Sequence, residues 1–229
     1  MQRPEAKRAL VTGCSSGIGQ AVTLALLEAG WQVTGISRRI PDLTAPAFSH
    51  IVVDLSDPKA ADDALAKVGP AHAAVHAAGL LRVGTHDRMD MQDGALMWQL
   101  HVDVAARMIR TLAPQMPDGG RFVLIGSRVA SGAPGRSLYA ASKAALTGLA
   151  RSCAAELAPR GITVNIVAPG ATDTPMLKDP SRADVAPNVP PLGRFVQPEE
   201  VASMAVYLLS PSAASITGQQ IVICAGASL

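Results

Sequence analysis

Tyr139 and Lys143 stand four positions apart in the run Ser137-Leu138-Tyr139-Ala140-Ala141-Ser142-Lys143. On a helix that spacing puts a phenol and an ammonium on one face, about one turn apart. A phenol with an ordinary pKa of about 10 is a poor acid or base near neutrality. A neighbouring ammonium favours the phenolate and draws it toward the working range. The same pair would also suit a solvated surface, so the rest of the chain has to decide.

A second chemical signal opens the chain. Directly after the apolar run Arg8-Ala9-Leu10-Val11-Thr12 comes Gly13-Cys14-Ser15-Ser16-Gly17-Ile18-Gly19, and a helical pattern follows from Ile18 to Ala29. Glycines between a first strand and a first helix let the backbone turn tightly and approach a pyrophosphate, whose charge meets the helix N-terminus. The spacing is looser than G-x-G-x-x-G, and the strand–loop–helix setting is what makes it a nucleotide site. Strand two, Trp31 to Ile36, should end at the adenosine ribose. A carboxylate there would bond both ribose hydroxyls, whereas basic residues suit a 2′-phosphate. Ser37 occupies about that position and Arg38 and Arg39 follow it, which favours NADP over NAD.

The elements that would position these groups alternate along the chain. Further strands are expected at His50 to Val53, Ala71 to His76, Arg121 to Ile125, Ile162 to Val167 and Gln220 to Ile223. Helices are expected at about Asp93 to Ala113, Leu138 to Leu157 and Pro198 to Leu208. Such βαβα alternation implies a doubly wound α/β fold, a mostly parallel sheet with helices on both faces. No repeat or linker divides residues 1–229, so a single dinucleotide-binding and catalytic domain is expected. Its one irregular stretch is 174–191, with prolines at 175, 180, 187, 190 and 191. A loop of that length reads as a substrate loop.

Composition excludes other classes. The chain has 229 residues, 48% apolar and 17% charged, enough for a sizeable core and too little charge for disorder. A net charge of +2 with mixed signs and only 3% aromatics leave neither a basic stripe nor stacking platforms for nucleic acid. No apolar run is long enough to span a membrane, and Met1 to Arg8 lacks a signal peptide's apolar stretch. Cys14, Cys153 and Cys224 lie far apart, as reduced thiols of a cytoplasmic protein would, and the histidines show no metal-ligand spacing.

Taken in order, these features resemble the short-chain dehydrogenase/reductase family over Thr12 to Gly226. The motifs are the loop Thr12–Gly19, Asp54-Leu55 after strand three, Ala77-Ala78-Gly79 after strand four, Ser127 after strand five, Tyr139 and Lys143, and Pro169-Gly170 with Thr174 after strand six. The resemblance implies a seven-stranded Rossmann fold and hydride transfer at a nicotinamide. It implies Tyr139 as general acid/base, Lys143 as the group that tunes the phenol and holds the nicotinamide ribose, and Ser127 as the donor to the substrate oxygen. Asp54 would meet the adenine, Ala78-Gly79 would pass close to the cofactor, Thr174 would hold the carboxamide, and Val167 to Gly170 would lie beside the nicotinamide. Dimers or tetramers are the usual assembly, with small residues such as Ala105, Ala144, Gly148 and Ala154 on the two long helices.

Three departures from the family pattern stand out. His76-Ala77-Ala78-Gly79 replaces Asn-Asn-Ala-Gly, and Ile223-Cys224-Ala225-Gly226 replaces Val-Asp-Gly-Gly. In Leu100-His101-Val102-Asp103-Val104, His101 takes the place of an Asn that helps hold a proton-relay water. His101 is therefore expected in the active site, as a neutral imidazole that adds a limb to the pH–rate profile. The wall expected from Leu80, Leu81, Arg128 to Ala133, Ala171, Met176 and Leu177 is mostly small or apolar. It favours a small uncharged ketone or secondary alcohol, unless Arg128 points inward and meets an anion. NAD-linked oxidation of a diol or polyol is the alternative, and a non-catalytic nucleotide-sensing module a remote one.

Overall fold

The computed structural model describes residues 6–179 and 188–229. Seven strands form one sheet: β1 (Arg8–Thr12), β2 (Gln32–Ser37), β3 (Phe48–Val52), β4 (Ala73–His76), β5 (Arg121–Ile125), β6 (Thr163–Pro169) and β7 (Gln220–Ile223). Their order is β3-β2-β1-β4-β5-β6-β7, and every pairing is parallel. Parallel strands buried on both faces should read as continuous apolar runs. β4, β5 and β6 are buried at every residue, and their apolar runs are broken only by His76, Arg121, Thr163 and Asn165.

Among the described residues six α-helices cover the sheet: α1 (Gly17–Glu28), α2 (Pro58–Ala66), α3 (Met91–Trp98), α4 (Val104–Leu112), α5 (Ser137–Leu157) and α6 (Pro198–Leu209). Successive side chains of a strand point to opposite faces. Leu10 therefore joins a core with Leu65, Met108, Leu112 and Leu146 of α2, α4 and α5, while Ala9 and Val11 join a second core with Val22, Leu26, Val201 and Leu208 of α1 and α6.

Two elements differ from the sequence expectation. α2 fills a stretch where no helix was expected. Asp57 caps it by accepting the Lys59 and Ala60 amides at 2.9 and 3.1 Å, and Pro58 sits in its first turn. The helix expected at about 93–113 is interrupted: a π-helical turn, Gln99–Asp103, separates α3 from α4. Such a turn often marks a functional site, and it carries His101. Of the expected substrate loop, 180–187 lie outside the described residues. No helix among the described residues is long and apolar enough to cross a membrane.

The strand order reverses between β1 and β4. In open α/β sheets this switch point, at the carboxyl ends of the strands, is where a crevice opens.

Candidate active site

A cleft of ≈ 510 Å³ lies along those strand ends, and it is lined by every catalytic and cofactor-binding residue expected at Ser127, Tyr139, Lys143, His101, the phosphate loop, Arg38, Arg39, Asp54, Leu55, Ala78, Gly79, Pro169, Gly170 and Thr174. At one end are Gly13, Ser15, Ser16, Gly17, Ile18 and Gly19, with Arg38, Arg39, Asp54 and Leu55. At the other are Ser127, Tyr139, Lys143 and His101, with Ala78, Gly79, Pro169, Gly170 and Thr174 between and around them. Val167 and Ala168, two of the four residues expected beside the nicotinamide, are instead packed in the two cores, and of the wall expected at 128–133 only Arg128 and Val129 line the cleft.

At Gly13 and Gly19 the phosphate loop has no room for a side chain. Gly13 has φ +72°, a left-handed conformation that favours glycine, and a Cβ there would lie 2.7 Å from the Ala78 amide nitrogen. At Gly19 a Cβ would come within 2.2 Å of the Gly13 carbonyl oxygen. The backbone is thus bared at the N-terminus of α1, where neither a side-chain cap nor an acidic first-turn residue competes for an anion. These residues fit a dinucleotide's pyrophosphate.

Ser37 is not available to a ribose. Its hydroxyl donates to the Arg39 carbonyl at 2.8 Å, so its oxygen accepts from His50 Nε2 at 2.8 Å. This bond fixes the turn carrying the two arginines. Arg39 Nη2 reaches back to Ser16 Oγ at 3.4 Å, over the phosphate loop, and exposed Arg38 lies 3.8 Å from Asp54.

Lys143 is buried, and its Nζ donates to the Ile125 carbonyl at the end of β5 at 2.8 Å. Burial disfavours the ammonium and pushes its pKa down to about 7. Nζ lies 6.0 Å from the centre of the Tyr139 ring. Ser127 is buried at the start of a 3₁₀ turn, Arg128–Ser131, where its oxygen accepts the Val129 amide at 3.3 Å.

Beside Tyr139, at 5.5 Å and edge to face, lies the buried His101 ring. Its Nε2 accepts the Leu80 amide at 3.2 Å, and its Nδ1 is 2.9 Å from Ser142 Oγ. Ser142 spends its one hydroxyl hydrogen on the Tyr139 carbonyl at 2.8 Å, so Nδ1 carries the proton and donates. A second buried imidazole has the opposite tautomer. His76 donates from Nε2 to the Leu100 carbonyl at 3.0 Å, while its Nδ1 accepts from Thr12 Oγ1 at 2.8 Å. The Thr12 oxygen in turn accepts the Ala77 and Ala78 amides at 3.2 and 3.1 Å. Both rings are neutral: burial first, and the Lys143 charge second, hold His76 down at about 3 and His101 well below 6.5.

The expectation that His101 holds a relay water does not match this geometry, since both ring nitrogens are taken by protein partners. Arg136 escaped the sequence reading. It precedes α5 by one residue and lines the cleft beside Arg128, and its only sequence signal was its place three residues before Tyr139.

Comparisons with known proteins agree with this layout. Residues 13–228 match a family model described as enoyl-(acyl carrier protein) reductase. The chain is 34% identical over 242 residues to 2,3-dihydro-2,3-dihydroxybenzoate dehydrogenase of Escherichia coli (strain K12), covering 97% of each protein. It is 34% identical over 238 residues to the 3-oxoacyl-[acyl-carrier-protein] reductase FabG of Salmonella typhimurium, again covering 97% of each. A Burkholderia cenocepacia short chain dehydrogenase solved in complex with NADP superposes with a TM-score of 0.88 at 33% identity, covering the whole of both chains. With the sheet order and the glycine loop already in place, these matches show that this chain belongs to the short-chain dehydrogenase/reductase family.

Proposed function

We propose that this single domain, residues 1–229, is an NADP(H)-preferring carbonyl reductase and alcohol dehydrogenase acting on a small ketone or secondary alcohol. The observation that carries the reading is one cleft that runs from Arg38 and Arg39 through the phosphate loop to Ser127, Tyr139 and Lys143. Bound NADPH supplies the hydride. Ser127 donates a hydrogen bond to the substrate oxygen and polarises it; Tyr139 hands that oxygen its proton, or removes it in the reverse direction. Lys143, tethered to Ile125, sets the electrostatics of the phenol from the same helix face.

NAD-linked oxidation of a diol is the second reading, supported by the relative named as a dihydrodihydroxybenzoate dehydrogenase. A panel of ketones, aldehydes and diols with both cofactors, read by nicotinamide absorbance, separates the two. Tyr139→Phe serves as control: it should lower kcat by about 10²–10⁴-fold while leaving NADPH affinity nearly unchanged. Turnover in Tyr139→Phe above a tenth of wild type would refute the assignment.

Association into dimers or tetramers fits α5, on which Ala144 and Gly148 face outward, whereas Ala105 of α4 and Ala154 of α5 face the chain's own core. The free thiols Cys14, Cys153 and Cys224 suit the cytoplasm.

A further inference from the structure

The substrate end of the cleft carries more positive charge than an uncharged ketone needs. Arg128 directly follows Ser127, and Arg136 directly precedes α5, three residues before Tyr139; both line the cleft. Arg128 is anchored, its Nη1 donating to the Ala227 carbonyl near the C-terminus at 2.9 Å. Its Nε is shut off from solvent and has no hydrogen-bond partner. Tethered in this way, the guanidinium is held at the cleft wall next to Ser127. Guanidinium N–H groups form a rigid fork that matches a carboxylate.

The two guanidiniums also feel each other. Burial first, and the Arg128 charge second, lower the Arg136 pKa, with Tyr139 partly offsetting them. Among the described residues the one acidic side chain lining the cleft is Asp54, which sits at the opposite end beside Arg38. α5 adds no negative charge, because its first turn contains no acidic residue and its N-terminus has no side-chain cap. Like charges half withdrawn from water are unfavourable, and a single anion between them would offset both.

Resting on the oxidoreductase reading above, we propose that Arg128 and Arg136 read a carboxylate, so that the substrate is a small oxo acid or hydroxy acid. Arg128 is adjacent in sequence to Ser127, which holds the reacting oxygen. The acid group therefore lies only a few bonds from the carbon that changes oxidation state. The expected apolar wall is kept for the carbon skeleton, since Leu80, Leu81, Ala171, Met176 and Leu177 line the same cleft.

The test compares acids with their methyl esters, for example 3-hydroxybutyrate and 4-oxopentanoate with the matching esters, in wild type, Arg128→Gln, Arg128→Lys and Arg136→Gln. Wild type should favour the acids in kcat/KM by about tenfold or more, the scale of a charge-assisted bidentate contact. Both Gln variants should bring the acid-to-ester ratio toward one, chiefly through KM. Arg128→Lys, which keeps charge without the fork, should fall between. NADPH affinity should stay within about twofold throughout. Esters turned over as well as acids by wild type would overturn the inference and leave the oxidoreductase reading standing. So would a ratio that neither Gln variant changes, or a loss confined to NADPH affinity, which would assign the guanidiniums to the cofactor. If no acid, ester, ketone or diol is turned over, the oxidoreductase reading falls, and this inference with it.

Discussion

His101 donates from Nδ1 to Ser142 at 2.9 Å, and Ser142 donates to the carbonyl of Tyr139, the residue three positions before it. The imidazole therefore braces the first turn of α5 from the outside. Because its other nitrogen accepts the Leu80 amide, the ring also ties that turn to the segment after β4. His101 is thus a positioning residue for Tyr139, and the π-helical turn is what brings it there.

Asparagine can reproduce both bonds, accepting from Leu80 and donating to Ser142, whereas leucine leaves two buried polar groups unpaired. His101→Asn should keep most of the activity. His101→Leu should lose about 1–3 kcal/mol of stability per orphaned group and lower kcat. The wild-type pH–rate profile should show no limb that His101→Asn lacks, because burial and Lys143 hold the ring's pKa well below 6.5. The histidine limb expected from sequence is thereby reversed. Its appearance near pH 6 would show that the ring titrates during turnover.

His76 makes the fold sensitive to acid. Its pKa is about 3 in the folded protein against an ordinary 6.5, so between those values the unfolded chain binds more protons. The stability of the neutral ring is complete above about pH 6.5 and is lost as pH falls toward 3, roughly 3 kcal/mol of it by pH 4. Asparagine can keep the Thr12 and Leu100 contacts without titrating. Unfolding of the cofactor-free protein by urea should therefore depend less steeply on pH, between 6.5 and 4, in His76→Asn than in wild type. Parallel slopes would remove His76 as the cause.

Arg38 and Arg39 should set the cofactor choice. Arg39 already leans over the phosphate loop onto Ser16, and Ser37 offers no carboxylate to a ribose. NADPH should bind at least about tenfold tighter than NADH, the scale of charge-assisted contacts to a phosphate. Replacing both arginines by serine should erase the preference by weakening NADPH while leaving NADH nearly unchanged. Fluorescence titration decides it, and equal or tighter NADH binding by wild type would count against the assignment.

The parts of this molecule that were legible in its sequence are those with local causes. The glycines after Thr12 announce a tight turn, and the spacing of Tyr139 and Lys143 announces a shared helix face. α2 was legible in principle, since Asp57-Pro58 is a helix start signal, but Ala-rich residues between two weak strands gave little apolar periodicity. The π-helical turn was not legible. One extra residue per turn barely disturbs the pattern from Asp93 to Ala113, and the group claiming the Leu100 carbonyl, His76, lies 24 positions away on β4. Arg136 was missed for the same kind of reason, because only folding places it beside Arg128 at the cleft.

Lys143 should cost the fold stability. Lys143 has a pKa of about 7 when folded against 10.5 ordinarily, so between those values the unfolded chain again binds more protons. Here the consequence is a penalty: it is complete below about pH 7 and fades as pH rises toward 10.5, on the order of several kcal/mol at its largest. The hydrogen bond from Nζ to the Ile125 carbonyl offsets only about 1 kcal/mol of it. Sites that need a buried, titratable ammonium are built against stability in this way. Lys143→Met should abolish turnover and yet stabilise the cofactor-free protein at pH 7, by an amount that shrinks when the comparison is repeated at pH 9.5. Denaturant unfolding at the two pH values measures both. A variant less stable than wild type at pH 7, or a gain that does not shrink at the higher pH, would mean that Lys143 is held charged in the fold, and that its tether to β5 outweighs its burial.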